Sequence, residues 1–300
     1  MLAPAGSAPP RPLSARALSA IRSPWLVGSA LFIAGFVSVW SLRNVPHASW
    51  GPALLGLAPW VIGKYVLCPL RWSALSASGQ SRWWHLRVYA ESEVFGLLSP
   101  AHAGADLWRV HSLHGTGMRR TPAVAEVALD RLVGSAGLLA FVLVAGVHMP
   151  IAVMGAAIGM AAAVLLGVVV LGRRRPDLLA ERPLPSVAVL VRGVLISCAY
   201  QATIVVLLLG TVAAMHASVS PWSLLAVFGA SQVAGAVPGV NGASPREGAL
   251  VVGLASIGVS WTAAVGAVAL TAVLAWLPAL LLGGGSLAAR RVTARLAART

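Results

Sequence analysis

Apolar residues fill this chain in long uninterrupted blocks, separated by short stretches that carry its arginines. A bilayer core of about 30 Å takes roughly 20 helical residues at ~1.5 Å each. Six blocks meet that length, and the pattern predicts spans at 24–42, 50–71, 122–147, 151–172, 191–214 and 260–283. Transmembrane strands would instead alternate polar and apolar positions over short segments. The sequence shows no such alternation. Several elements open on a hydroxyl residue followed by proline: Ser23-Pro24, Thr121-Pro122, Ser220-Pro221 and Ser244-Pro245. A hydroxyl N-cap with proline at the first helical position marks a helix start. The expected fold class is an all-α polytopic membrane protein.

Two further regions are apolar but broken, one around Pro100 to Gly104 and the other around Pro238 to Ser244. The pieces on either side are roughly 10–16 residues, too short to cross the core. They read as two re-entrant broken-helix hairpins, which share a Pro-x3-Gly spacing at Pro100-Gly104 and Pro238-Gly242. The order span, span, hairpin, span then occurs twice with opposite orientation, in halves of about 24–147 and 151–283. Inverted repeats with broken helices at matching places characterise transporters, whose site lies at the repeat interface.

Composition supports the membrane reading: 58% of residues are hydrophobic, 10% are charged, and the mean hydropathy is +0.84. The net charge of +14 is almost all arginine, with Lys64 the sole lysine. The charge is dispersed between apolar spans, so it speaks for membrane orientation and against a nucleic-acid partner. With the N-terminus in the cytoplasm, 18 of the 22 basic residues fall inside and only Arg43 falls outside. Lys64, Arg131 and Arg246 lie within membrane segments. This asymmetry supports six spans plus two hairpins with both termini cytoplasmic. Residues 1–23 read as a disordered tail, 24–284 as a single membrane domain, and 285–300 as a basic tail. The run from Trp25 to Leu42 is long for a signal peptide and lacks a small-x-small cleavage site, so it reads as an anchor helix. Cys68 and Cys198 sit in separate apolar spans and imply neither a disulfide framework nor a metal.

The stretch Pro238 to Leu250, PGVNGASPREGAL, carries the candidate chemistry. Ser244, Pro245 and Glu247 fit a capping box, in which Glu247 only closes a helix start. That leaves unexplained why Arg246 and Glu247 lie at membrane depth, where an ionisable group costs at least ~2.5–3.5 kcal/mol. Irregular backbone is tolerated there only beside a cavity or buried in protein. A half-helix N-terminus with an arginine suits a phosphate or carboxylate, and Glu247 can cap and balance charge at once. Six of the eight acids, Glu91, Glu93, Asp106, Glu126, Asp130 and Glu247, lie in or beside membrane segments. Glu126 and Asp130 are four apart and share a helix face, where a cation such as Arg109, Arg131 or Arg246 is needed. They serve either as a structural charge cluster or as a polar cavity wall. Glu91 and Glu93 point to different faces, so at most one meets that cavity. His111 and His114 lack the partners of a metal motif, and His102 in the hairpin loop is placed to contact an anion. Trp25, Trp50, Trp83, Trp84 and Trp222 read as an interfacial belt.

These residues resemble the membrane domain of lysylphosphatidylglycerol synthases and its stand-alone, flippase-like relatives. That family's pattern P-x-P-G-G-x-G-x-x-E is matched in register by Pro238, Gly242 and Glu247, while Val240, Asn241 and Ser244 depart from it. Its pattern L-P-x3-G-E-x-x-R resembles LSPAHAGADLWR through Pro100, Gly104 and Arg109, with the acid one residue late at Asp106. Its E-R pair resembles Asp130-Arg131. The resemblance runs from about Leu70 to Gly284 and implies a protein of a bacterial plasma membrane that flips or binds a charged lipid or lipid-linked precursor of the envelope. The aminoacyl-transferase domain of the bifunctional members has no counterpart here, so lysyl transfer is not expected.

The expected function is therefore lipid transport or binding rather than catalysis, with no cofactor or metal. Its site residues would be Pro100, Gly104, Asp106, Arg109, Glu126, Asp130, Arg131, Pro238, Gly242, Arg246 and Glu247. The alternatives are a membrane partner of an envelope glycosyltransferase and an intramembrane polyprenyl-diphosphate phosphatase. PGVNGAS resembles the loop of such phosphatases only faintly: it lacks the Ser-Arg-Ser they use, and the first hairpin lacks the matching serine/histidine cluster.

Overall fold

The computed structural model describes residues 48–97, 99, 102–145, 184–235 and 244–297, together with Phe36 and scattered positions between 151 and 174. The described residues form helices and no strand. In chain order the helices are α1 (Trp50–Ile62), α2 (Cys68–Leu75), α3 (Arg82–Leu97), α4 (Ala103–Gly115) and α5 (Arg120–Ala145). They continue with α6 (Val187–Ala214), α7 (Pro221–Ala234), α8 (Pro245–Ser256), α9 (Trp261–Pro278) and α10 (Gly285–Ala297).

Four continuous helices are long and apolar enough to cross a membrane: Trp50–Leu75, Arg120–Val144, Val187–Ala214 and Trp261–Ala297. They coincide with four of the expected spans, and the last runs well past its expected end. The expected spans at 24–42 and 151–172 lie, apart from isolated helical positions, outside the described residues. The chain is a helical membrane protein.

Two of the long helices are locally widened. A π-helical turn, Gly63–Leu67, joins α1 to α2, and a second, Ala279–Gly284, joins α9 to α10. A proline accounts for the first place. Pro69 has no N–H and its ring presses on the carbonyl four residues back, that of Tyr65 inside the turn, whereas Pro278 directly precedes the second turn and its ring faces the carbonyl of Leu274 upstream. A wider turn relieves that pressure, and such turns gather at functional sites. The first one carries Lys64.

Helix directions follow from a few close contacts. The N–H of Ser49 donates to the Ala214 carbonyl at 2.9 Å, while Gly193 at the other end of α6 faces Arg71 and Leu75. The Trp50–Leu75 helix and α6 are therefore antiparallel. Glycines let their backbones meet: a Cβ on Gly210 would stand 2.5 Å from the Pro52 carbonyl oxygen, and one on Gly56 2.9 Å from that of Val206. Small residues at such crossings replace the hydrophobic drive that is missing between helices in lipid. Helix α5 is antiparallel to the first long helix, because Glu126 lies beside Ala77 and Asp130 beside Arg71.

Between the long helices lie two pairs of shorter ones, α3 with α4 and α7 with α8, each packed together. The first pair leaves and rejoins the bundle at the end where Leu75, Glu126 and Gly193 gather. The second leaves from the opposite end, where Ala214 meets Ser49. The order long helix, short pair, long helix thus occurs twice. The continuation of α9 reaches back to α3, where Gly283 faces the Ala90 carbonyl and Ser286 and Arg290 meet Glu91.

Candidate functional site

The inner ends of α3, α4 and α8 line one cavity of about 330 Å³, together with the π turn after α1 and parts of α5, α6 and α9. Its lining includes the apolar residues Leu97, Ile204, Leu208, Leu250 and Val268. It also carries Lys64, Glu93, His102, Arg131, Arg246 and Glu247.

Each charged group reaches the cavity for a local reason. Lys64 sits on the widened turn of the first long helix, about midway along it. Its Nζ is 3.0 Å from Glu93 Oε1 and lies over the rings of Tyr89 and Tyr200 at 5.6 and 5.8 Å. Glu93 projects from α3 near the tip, and its other oxygen is 3.8 Å from His102 Nε2. His102 has a left-handed backbone, φ 58°, where the chain turns into α4. Arg131 Nε, on α5, donates to both oxygens of Asp106 at 2.9 and 3.1 Å. Arg246 is the second residue of α8, and its Nε is buried with no hydrogen-bond partner. Glu247 turns away from it and accepts from the N–H of Ser244 at 2.9 Å and from the Ser244 hydroxyl. The reach of Glu247 back to Ser244 is thus present, and among the described residues no acid pairs with Arg246.

A second charge cluster lies beside the cavity. The Asp130 carboxylate, fully buried, accepts from Arg71 Nε at 2.8 Å and from Arg109 Nη2 at 2.6 Å. Arg71 also donates to Ser197 Oγ at 2.7 Å. The Arg109 guanidinium stacks over Trp72, 4.2 Å from the ring centre. Four elements, α2, α4, α5 and α6, are joined through this one carboxylate. Glu126, a turn earlier, accepts from Ser76 Oγ at 2.6 Å and from the N–H of Ala77 at 3.0 Å, holding the loop after α2. Nearby, His85 packs edge-on against Trp72, with ring centres 4.7 Å apart, and burial lowers its pKa.

The structure divides the expected site residues between these clusters. Arg131, Arg246 and Glu247 line the cavity. Asp106 reaches its edge through Arg131, whereas Arg109, Glu126 and Asp130 belong to the second cluster and do not line the cavity. Gly104 is buried at the first tip, where its N–H donates to Ser99 Oγ at 2.7 Å and a side chain would meet the Phe95 carbonyl. Pro100, Pro238 and Gly242 lie outside the described residues. Of the two acids expected on different faces, Glu93 lines the cavity and Glu91 faces α10, accepting from Ser286 Oγ at 2.7 Å and Arg290 Nη1 at 2.9 Å. The expected set omitted Lys64 and Glu93. A lone lysine mid-span was the available signal, since an intramembrane ionisable group marks function and requires a partner.

No family model, curated protein or solved structure matches the chain.

Proposed function

We propose that this chain binds the charged headgroup of an anionic lipid in the cavity and moves the lipid between leaflets. The observation that carries this reading is Arg246. It is a cation at the N-terminal end of a half-length helix, beside a cavity, with its own neighbouring acid turned away and its Nε unpartnered. The helix end adds free N–H groups and partial positive charge, and together these suit a phosphate. The apolar residues of the lining suit the glycerol and first methylenes of a lipid. In this reading the short pairs are re-entrant hairpins, the halves form an inverted repeat, and six spans place both termini in the cytoplasm of a bacterium. The resemblance to the flippase-like membrane domains points the same way. Rocking of one half against the other would expose the cavity to each leaflet in turn. The assigned activity is movement, and the Asp130 cluster serves as the rigid joint beside it.

The test is a leaflet-movement assay in liposomes with labelled phospholipids and polyprenyl-phosphate lipids. The parent is compared with Arg246→Gln and Glu247→Gln. Movement of an anionic lipid that falls at least tenfold in Arg246→Gln supports the reading, since Gln loses about 1.4 kcal/mol or more of headgroup binding. Glu247→Gln keeps a side chain able to cap and should retain most of the activity. No movement of any lipid by folded parent protein would overturn the reading.

A further inference from the structure

The pair Lys64–Glu93 has a consequence for how an anion can enter. Glu93 is buried, and among the described residues its one close cation is Lys64 at 3.0 Å. Unlike Asp106, Asp130, Glu126 and Glu247, it accepts no hydrogen bond from a backbone N–H, a hydroxyl or an arginine among the described residues. An anion seated between Arg246 and Lys64 competes with Glu93 for the ammonium. A buried carboxylate that loses its cation is strongly disfavoured, so another positive charge must replace it. The place for that charge is already built. His102 Nε2 faces the free oxygen of Glu93 at 3.8 Å, and a third of the His102 side chain is exposed.

We propose that the site takes up one proton with each lipid anion it binds, placing the proton between His102 and Glu93. The inference rests on the lipid reading above. The titratable groups around this pair are Lys64 from the π turn, Arg131 from α5, itself held by Asp106 of α4, and Arg246 and Glu247 from α8, with the phenols of Tyr65, Tyr89 and Tyr200 beside Lys64. Before the anion arrives, burial first and then the three cations weigh against a charge on the imidazole, Glu93 favours it, and the proton stays in water. The anion offsets their field and draws Lys64 away from Glu93, so the same imidazole and carboxylate then hold a proton. One N–H or O–H bond forms at the site as one O–H bond of hydronium, or the acid bond of a buffer molecule, breaks. The incoming charges, one negative and one positive, cancel. Movement of the loaded site across the membrane is then electroneutral, and a proton gradient can drive it in a chain with no nucleotide-binding motif.

Linkage fixes the test. If one proton enters with each anion, apparent affinity falls about tenfold per pH unit above the range where the free site protonates. Dioctanoyl phosphatidylglycerol is a suitable probe, because its phosphodiester keeps one charge through the range where histidine titrates. The purified full chain in detergent is titrated with it by calorimetry, between about pH 6 and about pH 8, in two buffers of different ionisation enthalpy. The parent should take up close to one proton per anion and show the falling affinity, and Glu93→Gln should bind with no uptake and a flat profile. The parent measurement stands without any variant. Binding by the parent with no proton uptake and a flat profile would overturn the coupling and leave the lipid reading intact. Absence of both probe binding and lipid movement would overturn the two together.

Discussion

Asp130→Asn is the sharpest perturbation of the joint beside the cavity. The change keeps the side-chain shape and removes one negative charge. In the parent that charge is shared by two buried guanidinium groups, at 2.8 Å from Arg71 and 2.6 Å from Arg109. Neither arginine can move into water without breaking other contacts, since Arg71 donates to Ser197 and Arg109 stacks on Trp72. Removing one partner of a buried pair costs about 3–5 kcal/mol. For a chain of this size that corresponds to a loss of roughly 6–20 °C in midpoint. Arg109→Gln is the matched control. It removes one charge-assisted hydrogen bond, worth about 1.5–3 kcal/mol, together with the stacking on Trp72, and leaves Asp130 with Arg71. Thermal unfolding of the detergent-solubilised protein, followed by loss of the monodisperse chromatographic peak, ranks the two. The reasoning requires Asp130→Asn to be clearly the more damaging. Equal midpoints for parent and Asp130→Asn, or a larger loss for Arg109→Gln, would refute it.

Two further expectations concern packing. Gly210→Ala places a methyl 2.5 Å from the Pro52 carbonyl oxygen and must part α1 from α6, at a cost of about 1–3 kcal/mol, whereas Gly51→Ala meets nothing and should be neutral. The same thermal assay reads both. Ser286→Ala and Arg290→Ala should each cost about 1 kcal/mol or less, because the other partner of Glu91 remains and Arg290 is half exposed. The double variant leaves fully buried Glu91 with Arg87 at 3.9 Å, and its cost should exceed the sum of the singles.

Much of the architecture was legible in the chain because the membrane simplifies the code. Block length locates Trp50–Leu75, Arg120–Val144 and Val187–Ala214 within a few residues. Ser220-Pro221 and Ser244-Pro245 start α7 and α8 where hydroxyl-plus-proline pairs should. The continuation of α9 through Gly283, Gly284 and Gly285 was not legible, since a glycine run reads as a stop unless packing overrides it. Here Gly283 lets the helix pass against the Ala90 carbonyl. The site was half legible. Motif spacing singled out Arg131 and Glu247, and charge at membrane depth Arg246; spacing also gave Asp130 and Arg109, which proved to pair with each other beside the cavity. Spacing along one chain cannot tell a cavity wall from a joint, because that depends on partners far off in sequence. The pairing of Lys64 with Glu93, from two different helices, is of the same kind.

The account turns on the two short helix pairs entering the membrane from opposite sides. Single cysteines at their roots test this directly. Arg82→Cys marks the start of the first pair and Ser218→Cys the approach to the second, both exposed positions, in a chain with Cys68 and Cys198 replaced by alanine. A membrane-impermeant thiol reagent is applied to sealed vesicles of known orientation. The account predicts labelling of Arg82→Cys from the cytoplasmic side alone and of Ser218→Cys from the other side alone. Labelling of both from the same side would contradict the opposed hairpins and, with them, a cavity reached from each leaflet in turn.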